Sequence, residues 1–168
     1  SGSKAAPIYR EAARHYGVGT TYSMTPLPMV EPVKDLLGAT VRFIAIPDWF
    51  AADKARAYRE GMLENIEVFH AKHGSRMMKF WNAPRFREMF PGDAGADLVE
   101  LDSPWRVRAA ELAQSLGMMF MAHIADPDTW FKTKYADAKV YRAKRQHYEP
   151  LERMVERFED YYRSLCRN

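Results

Sequence analysis

The feature that most constrains this chain is an alternation: four short runs with strand character, each separated from the next by a segment with helical spacing. Strands parted in this way are joined by right-handed crossovers and lie parallel in one sheet, so the pattern predicts an α/β fold of repeated (β/α) units. The first run, Val18 to Met24, is rich in Thr and Tyr and is closed by Pro26 and Pro28. The second, Thr40 to Ile46, ends at Pro47 with Asp48 and Trp49 at its tip. The third, Arg76 to Trp81, delivers Lys79, Trp81 and Asn82 toward its carboxyl end. The fourth, Met118 to Met121, follows Gly117, and its unbroken apolar character predicts a strand covered on both faces.

The intervening segments carry start and stop signals of helices. Pro7 to Tyr16 ends at Gly17, and Val30 to Leu37 has Pro32 in its first turn and Gly38 after it. Asp53 to His73 is the longest helical pattern, with Ala57, Met62, Ile66 and Phe69 among its apolar positions and Gly74 as its stop. Ser103 caps a helix that Pro104 opens and that runs to Leu116. From Pro150 onward Leu151, Met154, Val155, Phe158 and Leu165 form one apolar stripe of a last helix. The loop after the third run, with Pro84, Pro91, Gly92 and Gly95, has the length of a functional loop on a rigid scaffold.

Composition narrows the function classes. With 168 residues, 47% hydrophobic and 28% charged, the chain reads as one globular domain over residues 1–168, with Ser1-Gly2-Ser3 as a cloning remnant. A net charge of +3 is too small to imply a nucleic-acid partner by itself. The lone Cys166 excludes an internal disulfide and a cysteine zinc site. No apolar run approaches the roughly 20 residues of a membrane span, and the expectation is a cytoplasmic protein with no membrane partner.

Chemistry concentrates in Gly117 to Asp128, where an apolar segment runs into His123, Asp126 and Asp128. In parallel sheets reactive groups collect at the carboxyl ends of strands. His123 there is either a ligand or a hydrogen-bonded structural residue. Trp49, Trp81 and Trp130 each fall just past a strand end and either wall a pocket for a flat or apolar small molecule or pack as ordinary core. Lys79 is read as snorkelling to the mouth or pairing with Asp48. His70 and His73 are read as a solvated helix end. The segment 132–145 sets Lys132, Lys134, Lys139, Arg142, Lys144 and Arg145 against Asp137, with Tyr135 and Tyr141 interleaved. That is first a solvated helix face and second a phosphate- and base-binding surface. There is no glycine-rich phosphate loop, no serine nucleophile elbow and no cysteine nucleophile context.

Several of these stretches together carry a resemblance. Within Val41 to Phe158, Met78-Lys-Phe-Trp-Asn-Ala-Pro-Arg85, Ser103-Pro-Trp105, Ala122-His-Ile-Ala-Asp-Pro-Asp-Thr-Trp130 and Tyr148-Glu-Pro-Leu151 resemble the amidohydrolase superfamily. The narrower likeness is to the branch of metal-dependent hydrolases that includes the aminocarboxymuconate-semialdehyde decarboxylase type, and His-Ile-Ala-Asp-Pro is its most specific part. The resemblance implies about half of a TIM-type (β/α)8 barrel, with the four runs as its second to fifth strands. It implies a divalent metal, zinc before others, with His123 as a ligand and Lys79 where some members carry a carboxylated, metal-bridging lysine. Asp126 or Asp128 then orients the ligand or handles a proton, and Trp49, Trp81, Asn82, Arg85 and Trp130 line the substrate pocket.

The family's His-x-His pair, its sixth-strand histidine and its eighth-strand aspartate have no counterpart here. A zinc site takes three or four ligands and a full barrel about 250 residues. The expectation is therefore a fragment of a metal-dependent hydrolase or decarboxylase, inactive alone. The alternatives are a non-catalytic half-barrel assembly unit and a nucleic-acid-binding module built on residues 132–145. Four parallel strands have two open edges, so a homo-oligomer is expected.

Overall fold

The computed structural model of the chain describes residues 2–82, 86, 89–123 and 156. It is a mixed α/β structure with short parallel strand pairs. Helices α1 (Gly2–His15), α2 (Val30–Leu37), α3 (Lys54–Ala57), α4 (Glu60–His73) and α5 (Pro104–Ser115) alternate with strands β1 (Thr21–Ser23), β2 (Val41–Phe43), β3 (Met77–Trp81) and β4 (Met119–His123). The segment from Pro150 and the basic stretch 132–145 lie outside the described residues, except for the helical Glu156. No helix among the described residues is long and apolar enough to cross a membrane.

Two compact units make up the chain. The first is Ser1–Lys79 with Glu111–Phe120, and the second is Phe80–Ala110 with Met121–Asn168. In the first unit the strands follow sequence order. Thr21 pairs with Val41 and Ser23 with Phe43 in parallel, and Ala45 then bridges to Met78, also in parallel. Beyond β3, the Met119 N–H donates to the Arg76 carbonyl at 2.8 Å, which puts the start of β4 on the far side of β3.

The core of the first unit lies on β2 and α4. Val41, Phe43, Ile44, Ala45 and Ile46 are all buried, so the run is covered on both faces from Phe43 onward, while Arg42 before it is exposed. Met62, Ile66 and Phe69 of α4 and Ala57 of α3 are buried too, each large side chain contributing about 1.5–3 kcal/mol. Polar links fix the layers. The Asn65 Nδ2 donates to the Ile46 carbonyl at 2.8 Å, and the buried Ser75 hydroxyl donates to the Phe43 carbonyl at 2.7 Å. Gly74 ends α4 in the left-handed region at φ 62°, where a side chain is disfavoured.

Four expectations need correction. The single helix from Asp53 to His73 is two helices, because Arg59 leaves helical geometry (φ −107°, ψ −105°) and α4 restarts at Glu60. Here a Cβ on Gly61 would lie only 3.2 Å from the Arg56 carbonyl, so the return of the chain uses the missing side chain. The first helix begins at Gly2 rather than Pro7 and carries Pro7 inside it, where proline lacks the N–H for the preceding turn. The end of α4 is packed, not solvated: the His73 ring lies 5.7 Å from Phe69 and 6.3 Å from Phe43, with Nδ1 3.5 Å from Glu31 Oε1. And β4 is not covered on both faces, since Met119 and Met121 are exposed while Met118 is buried.

In the second unit the loop after β3 carries its own small core. Phe86, Phe90, Leu98 and Leu101 are buried, with the Phe86 and Phe90 rings 5.2 Å apart. A Cβ on Gly95 would meet the Phe90 carbonyl oxygen and Val99 Cγ2 at 2.5 Å, so the loop closes at a position that only glycine fits. Trp105 seals the start of α5 by donating its Nε1–H to Asp97 Oδ2 at 3.1 Å.

Candidate functional site

Three of the residues singled out in the sequence come together in the second unit. The Asn82 N–H donates to the His123 carbonyl at 2.7 Å, the bond a parallel register makes when Trp81 stands opposite His123. Residues opposite one another share a face of the sheet, so Trp81 and His123 occupy the same face at the carboxyl end of the strand pair. Both are half-buried, as is Asn82. On β4 itself Met121 and His123 fall on one face, and Met121 is exposed there.

The strand end is held from behind by a residue that the sequence reading passed over. Arg106, in the first turn of α5, is 3% exposed. Its Nε donates to the Leu98 carbonyl at 2.6 Å and its Nη2 to the Trp81 carbonyl at 3.1 Å. The guanidinium lies 4.7 Å over the Phe86 ring and 5.0 Å from that of Phe80. Trp81 meets Phe86 edge-on at 5.9 Å. A buried cation shared between two carbonyls and two aromatic faces fixes the Trp81 backbone, and through it the place of the indole. Its sequence signal was weak. An arginine early in a helix opposes the macrodipole, and only the position directly after Ser103-Pro-Trp105 marks it.

The other named residues stand elsewhere. Lys79 is half-buried in β3, in the first unit, and its backbone N–H donates to the Ala45 carbonyl at 2.9 Å. It makes no ion pair with Asp48, which instead accepts the Phe50 N–H at 2.9 Å to close its own turn. Trp49 follows β2. Its carbonyl accepts the Lys54 ammonium, and its buried Nε1 has no acceptor among the described residues. Arg85, Asp126, Asp128 and Trp130 lie outside the described residues. Among the described residues no three His, Cys, Asp or Glu side chains gather, so these side chains do not by themselves make a zinc shell.

The chemistry available at this strand end is that of one imidazole and, on the strand opposite, an indole followed by a primary amide. A neutral imidazole both donates and accepts a hydrogen bond and can ligate a cation. Compared with known proteins, the chain matches no protein-family model, no curated protein and no solved structure.

Proposed function

We propose that this chain is part of a metal-dependent hydrolase or decarboxylase of the amidohydrolase type, amounting to about half of a TIM-type (β/α)8 barrel. It acts on a small molecule in the cytoplasm and works as an assembly of several copies. One observation carries the reading: the strands run parallel in sequence order, and Trp81, Asn82 and His123 meet at a carboxyl-terminal strand end. Sequential parallel order is the order of a barrel, and the carboxyl end is where barrels keep their reactive groups. His123 holds a carbonyl or carboxylate of the substrate or ligates a divalent ion, and Trp81 supplies a flat wall that excludes water. The apolar Met121 beside them favours a substrate with an unsaturated or aliphatic body.

Zinc titration of the purified chain, followed by calorimetry beside the His123→Ala variant, tests the assignment. The expected result is weak, substoichiometric binding that weakens further in the variant, because one imidazole cannot complete a shell. Binding unchanged in His123→Ala would remove His123 from the site. A stoichiometric ion lost in the variant would show that the chain completes its own site, and would turn the reading from a fragment to an active domain.

A further inference from the structure

A feature left unused by the proposed site is the face made by α1 and β1. The helix α1 is amphipathic, yet Ile8 is 71%, Tyr9 65% and Tyr16 78% exposed, and beside them Tyr22 of β1 is 54% exposed. On a helix Ile8, Tyr9, Ala12, Ala13 and Tyr16 fall within one arc, so α1 presents a continuous apolar stripe outward. Tyr9 and Ala13 border a groove of about 360 Å³ whose other wall is Tyr22, Ser23 and Met24 of and after β1. Ile8, Ala12 and Tyr16 line a second hollow along the same helix. Stripe, groove and strand therefore form one patch.

Among the described residues no strand pairs with the second edge of β1 in this patch. The Thr21 N–H goes to the Thr40 carbonyl at 3.0 Å, and the Ser23 carbonyl accepts the Ile44 N–H at 3.0 Å, so residues 21 and 23 direct their backbone groups to β2. In a strand the intervening residue points its groups the opposite way. The N–H and C=O of Tyr22 thus face away from β2, along its other edge.

We infer that this face is where two copies of the chain meet, with β1 pairing antiparallel to β1 of a second copy about a two-fold axis at Tyr22. The inference rests on the assembly stated under the proposed function and names its surface. A residue on such an axis exchanges both of its backbone hydrogen bonds with its own copy, and the outward N–H and C=O of Tyr22 are the two groups that exchange needs. Size agrees. An aromatic side chain carries roughly 150–250 Å² of surface, so the exposed parts of the three tyrosines with Ile8 and Met24 amount to on the order of 600 Å². A polar rim from Arg10 and the Glu11–Arg14 pair brings this to the roughly 800 Å² per partner of a stable interface. Tyrosine is also the residue type such interfaces favour.

Light scattering of the whole chain at micromolar concentration, with three variants, tests this. The unmodified chain is expected to be a dimer. Ile8→Glu/Tyr9→Glu is expected to weaken the dimer at least 100-fold without changing the far-ultraviolet circular dichroism. Tyr22→Pro removes an N–H that β2 does not use, so it leaves the fold in place while breaking the exchange across the axis. In a Cys166→Ser background, Tyr22→Cys is expected to form a disulfide-linked dimer under mild oxidation. Cα atoms of such a pair lie about 5.5 Å apart, within the disulfide range. Phe50→Cys, 82% exposed elsewhere on the chain, is expected not to do so. A monomer at micromolar concentration would overturn both the assembly and its surface. A dimer untouched by the double variant and by Tyr22→Pro, with no Tyr22→Cys crosslink, would overturn the surface and leave the assembly standing.

Discussion

The pair α4 and β2 and the pair α1 and β1 are built to the same plan, a helix of fourteen residues beside a three-residue parallel strand. They differ in what covers them. Ile66 and Phe69 are wholly buried, and β2 is buried at Val41 and Phe43, while Ile8 and Tyr16 stand open and β1 is exposed at Thr21 and Tyr22. An amphipathic pattern thus says that a face will be covered, not that its own chain will cover it. The inner pair obtains its cover from neighbouring elements in sequence. Among the described strands the outer pair has a neighbour on one side only, because β1 is the first of the order.

This contrast can be broken or sharpened by substitution. The largest effect is expected for Phe69→Ala, about 3–5 kcal/mol in urea unfolding, against less than about 0.5 kcal/mol for Tyr16→Ala at concentrations where copies do not associate. Similar losses at both sites would show that α1 is as enclosed as α4. Next comes Arg106→Ala, which frees the buried Leu98 carbonyl and the half-buried Trp81 carbonyl and is expected to cost about 3 kcal/mol. Hydrogen exchange should then quicken at Asn82, whose amide depends on the strand end that Arg106 holds. Ser75→Ala strips the Phe43 carbonyl of its buried partner and is expected to cost about 1–2 kcal/mol, which would show how much of the inner pair's firmness is polar. The smallest is Asp53→Ala, about 1 kcal/mol from loss of the cap to the Arg56 N–H; a loss several times larger would mean that α3 governs the docking of α4.

What could be read from the residues beforehand divides along the same line between local and distant causes. Helix α2 spans Val30–Leu37 as expected, because Pro32 and Gly38 mark its ends within the segment itself. Strands β3 and β4 fall where the apolar runs place them, and Trp81, Asn82 and His123 reach one strand end because sequential parallel order brings them there. The break at Arg59 was not legible, since it depends on how closely Gly61 approaches the Arg56 carbonyl. Nor was the packing of His73 against Phe43, which joins a helix end to a strand far back in the chain. Arg106 escaped notice because arginine usually marks a surface, and nothing nearby in sequence announces the carbonyls of Leu98 and Trp81.

The strand order has a consequence for how the molecule is made. Thr21 finds Val41, and Ala45 finds Met78, so the first pairing needs nothing that comes later in the chain. On a ribosome the amino-terminal pair can form while β4 is still being synthesised, and each later unit then docks onto a surface already in place. Pairings between neighbours in sequence close short loops and so form early. The growing edge of the sheet is covered by the next unit to emerge. Among the described residues nothing pairs with the starting edge at β1, so during synthesis on a shared message it is an edge that a neighbouring nascent chain can reach.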